Sequence, residues 1–455
     1  MKSTRSSLLT VTGIAGILLL SACGGQSSPT ADASSTSASA SASSPASDSS
    51  EETEVSTPTT RVALSYDGGI MIVDGRTMEM VDTVEKDGFL RLSQAGDNRH
   101  LAVANGNSYS LLDMGHWGQA HGDHSHYYSA KPTLSDWSWD SEETSHVISD
   151  NGKTAFFSDG SGSFEVVDPL TLTGDDKKTA AKDSIETKTV SLPEPHHGFA
   201  IPLPDDQYMV AAGNEDQRTG AAIVDENGKT VTKNNQCPGV HGEAIVANNT
   251  FTVGCEDGVL IYKNGEFTKV QAEESYARLG NQAGSHDSPI VLADYKTDKD
   301  AELERPEQFS LVNTETDSIQ KVQLPEGVSY TFRSIARGPE GEALLLTTDG
   351  KLRAYDEETG EELASVDLMN SWTESEVWQE PRPAIWVQDD TAYVTDPATK
   401  KLHAVSLANI ANGSMEDFAQ LELPETPNEI NGVSARDGVA PEAEGDEHDH
   451  EGHDH

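Results

Sequence analysis

One pattern recurs along most of the chain: an apolar strand closes on Asp or Asn, turns, and a second strand follows. The runs "HLAVANG", "TAFFSDG", "YMVAAGN", "FTVGCEDG", "ALLLTTDG" and "TAYVTD" show it. Gly, Asn and Asp at these points supply turn chemistry, and the flanking β-branched and aromatic residues favour strands. Amphipathic helical spacing is scarce. The closing residues Asp67, Asn105, Asp159, Asn214, Asp257, Asp294, Asp349 and Asp396 define eight units over residues 61–436, near 47 residues each. A period of about 40–50 residues with several strands per unit marks a β-propeller. The expected fold is therefore all-β. Eight blades are expected, with seven the nearest alternative because residues 267–330 are irregular. "NEINGVSARDG" at 428–438 reads as an opening strand without successors, and 61–84 as later strands without an opener. Pairing of the N- and C-terminal strands would close the ring.

The ends differ in composition. Lys2 and Arg5 precede an apolar run, Leu8–Leu20, and then "LSAC". Residues 1–22 read as a secretory signal. The LSAC ending resembles a lipobox, which would leave Cys23 lipidated; an ordinary signal peptide is the alternative. Residues 23–60 are nearly all Ser, Ala, Thr, Pro, Asp and Glu and read as a disordered tether. The expected protein is exported and held by its lipid on the outer face of the cytoplasmic membrane. Two further cysteines, Cys237 and Cys255, stand 18 residues apart, which suits neighbouring strands and a disulfide in an oxidising compartment. A net charge of −46 excludes nucleic acid as an obvious partner and disfavours direct docking on anionic lipid, so membrane contact is expected through the anchor alone.

Histidines gather in two places. "GHWGQAHGDHSHYYSAKP" (115–132) holds His116, His121, His124 and His126, and residues 437–455 end in "DEHDHEGHDH". In that acidic tail His448, His450, His453 and His455 alternate with carboxylates, as a mobile metal collector would. A purification tag would more commonly be a uniform histidine run. Counting back about 14–17 residues from each turn reaches the start of each innermost propeller strand. The positions reached are near Leu90–Arg91, Thr144–His146, His197, His241, Arg278, Arg333 and Arg382. "HHGFAIPL" and "VHGEAIVA" place His-Gly at matching positions, and Gly there suits a close approach of backbones. The loop 121–126 could fold over the channel mouth, meeting His197 and His241, with His196 as a further candidate and Asp123 as a ligand or a partner to an imidazole. Single histidines such as His100, His146, His286 and His403 read as hydrogen-bonded structural residues. Imidazoles select Zn, Cu or Ni over Ca and Mg. Without a Met-rich box or a free Cys pair, Zn²⁺ is the expected metal, with Ni and Cu(II) left open by ligand type. The arginines could hold an anion, pair with carboxylates or brace the channel.

Taken together, the "HGDHSHYY" loop, the "PHHG" and "VHGE" strand starts and the Asp/His-rich segment on an exported propeller resemble the AztD-type zinc metallochaperones. This resemblance implies zinc binding through His121, His124, His126, His197 and His241. It also implies delivery to the solute-binding protein of a zinc ABC transporter. The chain departs from the pattern in carrying its Asp/His-rich segment at the C-terminus. Catalytic motifs are poor: no GxSxG, HExxH, P-loop or CxxC occurs. A non-enzyme is expected. A metal-dependent propeller hydrolase or lactonase, or an interaction propeller without metal, are the alternatives.

Overall fold

The structure, a computed structural model, describes residues 52–121 and 124–437. The signal segment, Cys23, Asp123 and the His-rich tail lie outside the described residues. Among the described residues the regular elements are strands and short 3-10 turns. Eight sheets each contain a four-stranded antiparallel meander, and a ninth, three-stranded sheet stands apart from this series. In chain order the innermost strands of the second to eighth sheets are Arg91–Gln94, Thr144–Asp150, Ala200–Leu203, His241–Val246, Gln282–Ser285, Ile335–Arg337 and Ile385–Gln388. Most begin within a few residues of the positions expected from the repeat. The irregular stretch 267–330 contains a full sheet whose second and third strands, Ser288–Asp294 and Gln308–Asn313, are joined by a long connection.

The first sheet takes its inner strand from the other end of the chain. Ile430–Ser434 pairs antiparallel with Thr60–Tyr66, Leu64 opposite Ile430 and Thr60 opposite Ser434. The terminal pairing read from the sequence is thus present. Eight hydrophobic clusters fill the spaces between neighbouring sheets, including the space between the eighth and the first. Each middle strand therefore faces two interfaces. In Gln207–Gly213, Tyr208, Val210 and Ala212 pack toward the third sheet, while Met209 and Ala211 pack toward the fifth. Alternate side chains leave opposite faces of a strand, and both faces here are dry. That is why these runs are continuously apolar rather than alternating.

The inner strands run side by side in one direction. Asn431 Nδ2 donates to Leu92 O (3.0 Å), Gln94 Nε2 to Gly432 O (2.9 Å) and Asn151 Nδ2 to Pro202 O (3.2 Å). They define two mouths: an upper one where the inner strands begin and a lower one where they end.

The ninth sheet corrects two expectations. His116–His121 and His124–Ser129 form a hairpin, and Thr53–Val55 adds to its edge. Residues 53–55, expected in the tether, are thus a strand. The hairpin follows Ser108–Asp113, the third strand of its sheet, which runs parallel to the inner strand and so leaves at the lower end. There Arg61 donates to Met114 O, Ala130 O (3.0 Å) and Ser129 Oγ (2.8 Å). His116 Nδ1 meets Thr59 Oγ1 at 2.9 Å, and Arg99 stacks 3.9 Å from the Trp117 ring.

Cys237 and Cys255 are joined, one on the connection leading into the fifth sheet and the other on its second strand. Both are fully buried. Closing a loop of this size stabilises a fold by about 3 kcal/mol through the unfolded chain. Reduction, or the Cys237→Ala/Cys255→Ala pair, is expected to lower the unfolding free energy by about that amount, read from denaturant unfolding as a lower midpoint with a slope that is equal or steeper because the unfolded chain is less constrained.

Candidate metal centre

Three imidazoles from three consecutive sheets meet at the upper mouth. His146 is on the inner strand Thr144–Asp150, His197 precedes Ala200–Leu203, and His241 opens His241–Val246. One ring nitrogen from each lies within 4.8 Å of the others. Ring centroids are 5.5 Å apart for His146–His197, 6.1 Å for His146–His241 and 5.2 Å for His197–His241.

Each ring is held by one nitrogen. His146 Nδ1 lies 2.8 Å from Glu243 Oε1, His197 Nδ1 lies 2.6 Å from Asp159 Oδ2, and His241 Nδ1 lies 2.7 Å from Gly280 O. Asp159 is fixed in turn by the Gly198 N–H (3.1 Å). A proton on Nδ1 shared with a carboxylate or carbonyl leaves Nε2 as a lone-pair donor. That arrangement of outer partners fixes ring orientation at metal sites. Tetrahedral zinc with bonds of about 2.0–2.1 Å needs donors roughly 3.3 Å apart. Small ring rotations would bring these three to that spacing.

The local backbone makes the approach possible. Gly242 has φ +72° and interrupts the strand register between His241 and Glu243. A Cβ there would lie 2.2 Å from Gly280 O. The His-Gly pair read from the sequence therefore permits the Gly280 carbonyl, on the connection before the sixth sheet, to reach His241.

Electrostatics disfavours a proton on His241. Burial lowers His241 to about 3, outweighing its bond to Gly280 O, and His146, His197 and Arg278 push the same way. For Glu243 burial acts upward, but His146 and its neighbours outweigh it and hold the carboxyl below the usual range. Asp159 is depressed in the same manner, burial being overcome by His197. Glu243 Oε2 is buried and lacks a hydrogen-bond partner among the described residues. An unpaired buried carboxylate oxygen beside three imidazoles is a site short of a cation.

The expected ligands divide. His197 and His241 come together. His196, one residue away, is buried, with Nδ1 2.9 Å from Glu194 O and Nε2 3.1 Å from Ala211 O; both nitrogens are engaged, and it braces the blade. His126 Nδ1 meets Glu54 Oε1 at 2.7 Å on the hairpin. His121 and His124 are cross-strand neighbours at the hairpin tip. That hairpin sits at the lower end, so it does not fold over the mouth that holds His197 and His241. His146, read from sequence as a structural histidine, is the third member, and Glu243 was not singled out. The register count had already placed Thr144–His146 at an inner-strand start, and that was the available signal. Of the arginines, Arg333 pairs with Glu429 and Arg382 with Glu374, each at 2.6 Å.

The fold and site define an all-β propeller with a cluster of three histidines at one mouth. No protein-family model matches the chain. The chain is similar to the zinc chaperone AztD of Citrobacter koseri, 26% identical over 399 residues, spanning 85% of this chain and 88% of that one. It superposes on the crystal structure of Citrobacter koseri AztD with a TM-score of 0.70 at 24% identity, covering 83% and 98% of the two chains. On the apo AztD structure from the same organism the TM-score is 0.69 at 23% identity, with the same coverage. Dihydro-heme d1 dehydrogenase NirN shares the fold at a TM-score of 0.50 and 11% identity, covering 82% of this chain and 74% of that one.

Acid should destabilise the metal-free protein early. His241 and the buried His116 both sit near 3 when folded, against 6.5 as the ordinary value. Their stabilisation is present above the unfolded value and is lost as pH falls below it. Between about pH 5.5 and 4, His241→Gln is expected to reduce the slope of unfolding free energy by up to about 1.4 kcal/mol per pH unit, measured by denaturant titration at several pH values.

Proposed function

We propose that the chain is a zinc chaperone that captures Zn²⁺ at His146, His197 and His241 and passes it to the solute-binding protein of a zinc ABC transporter. The observation that carries this reading is the convergence of three imidazoles whose Nδ1 atoms are anchored, beside a buried carboxylate oxygen without a partner. Similarity to a zinc chaperone supports it. Three protein donors leave a fourth position on zinc for water, Glu243 or a ligand from the acceptor. That position suits cargo, because an incoming donor can bind before the outgoing one leaves. The LSAC sequence at Cys23 supports export and lipid anchoring outside the cytoplasmic membrane. The histidines of residues 437–455 would gather zinc loosely near the protein.

A metal-dependent hydrolase is the second reading. Three histidines with an open position, and Glu243 close by, also suit a catalytic metal. Turnover of a lactone or ester by the zinc-loaded protein would favour it over the chaperone.

Competition titration of the demetallated protein against a chelator tests the site. Wild type is expected to bind one zinc below micromolar Kd. Glu243→Gln should weaken binding by about 10–100-fold as an outer-partner loss, and Ala at His146, His197 or His241 by at least as much. His196→Ala and His126→Ala should leave the affinity unchanged. Retained tight binding in the triple Ala variant would remove this centre from the argument.

A further inference from the structure

Half of the large hydrophobic residues that stand exposed among the described residues fall in one place. Phe332 is 37% exposed, Val377 52% and Trp378 52%. They lie on connections from an outer strand to the next inner strand: Phe332 between Ser318–Gln323 and Ile335–Arg337, Val377 and Trp378 between Glu362–Asp367 and Ile385–Gln388. Such connections arrive where inner strands begin. The patch therefore sits on the rim of the upper mouth, across the ring from His146, His197 and His241.

The exposed groups are held in place. Trp378 packs edge-on against Phe89, centroids 5.1 Å apart. Phe332 is flanked by the guanidiniums of Arg333 and Arg382, 5.2 and 5.1 Å from its ring. Arg382 donates to Val377 O (2.7 Å), and Asn428 Nδ2 to Gln379 O (2.8 Å), pinning the loop that carries Trp378. Side chains fixed before contact lose little freedom on binding, and aromatic residues are enriched where partners dock. The arginines below are buried against Glu429 and Glu374. The exposed carboxylates Glu376 and Glu380 flank Val377 and Trp378, while the exposed Arg305 donates to Glu374 O (2.8 Å) on the same loop. The patch is thus an apolar centre with an acidic edge, on a chain of net charge −46.

We infer that Phe332, Val377 and Trp378, edged by Glu376 and Glu380, form the docking surface for the protein that receives the metal, a partner presenting an apolar contact rimmed by Lys and Arg. This rests on the chaperone reading. Ligand exchange at the triad requires the acceptor to cover the upper mouth, and opposite charge at the edge raises the rate of encounter and makes it fall with salt.

The experiment uses the zinc-loaded full chain and the purified, zinc-free solute-binding protein of a zinc ABC transporter from the same cell, with transfer followed by stopped flow. Trp378→Ala and the surface pair Glu376→Lys/Glu380→Lys are compared with wild type. Both are expected to keep zinc affinity within about two-fold while transfer at low acceptor concentration slows about ten-fold or more, as for loss of an interface anchor. The wild-type rate should fall as salt is raised, and that of the charge-reversed pair should not. Variants that transfer at the wild-type rate overturn the docking surface and leave the chaperone reading intact. Wild type that holds zinc yet delivers none faster than it dissociates overturns both. Should Trp378→Ala not fold, the charge-reversed pair decides.

Discussion

The backbone pairing of Thr60–Tyr66 with Ile430–Ser434 is the contact on which the rest depends. A single blade cannot bury both faces of its middle strands. Each of the eight clusters needs a sheet on either side, and the space between the eighth and first sheets exists only because the two ends of the chain share one sheet. This is also why the inner strands can be short. Ala200–Leu203 has four residues, all buried, and is held by neighbours on both flanks rather than by its own length.

The cluster of three histidines is a product of the same ring. No two of its histidines share a sheet, and each Nδ1 partner apart from its own imidazole comes from a different place. Glu243 of the fifth sheet reaches across to His146 of the third, and Gly280 reaches from the connection before the sixth sheet back to His241. The fourth sheet, which His197 precedes, stands between the third and the fifth. The cluster therefore reports the spacing of three blades, and at His241 burial, the other two imidazoles and Arg278 oppose protonation.

Much of this was legible in the sequence. The repeat, the closing strands, the disulfide and the meeting of His197 with His241 follow from turn spacing and strand register. The density of histidines at 116–126 points toward a shared metal site, but strand parity keeps them from His197. A segment that follows the third strand of a blade emerges at the end opposite to one that precedes the first, so 116–129 and His197 could not share a mouth. His146 stands alone in sequence, and its partners lie 51 and 95 positions later. Glu243 was hidden because a bulge at Gly242 breaks the simple alternation that would assign its direction.

The placement of the chain ends has a geometric consequence. Thr60 and Ser434 sit opposite one another at the lower rim, and Thr53–Val55 lies against the hairpin there. A tether joined to either of these strands would therefore meet the described residues on the face away from the three imidazoles, leaving the upper mouth free of the attachment.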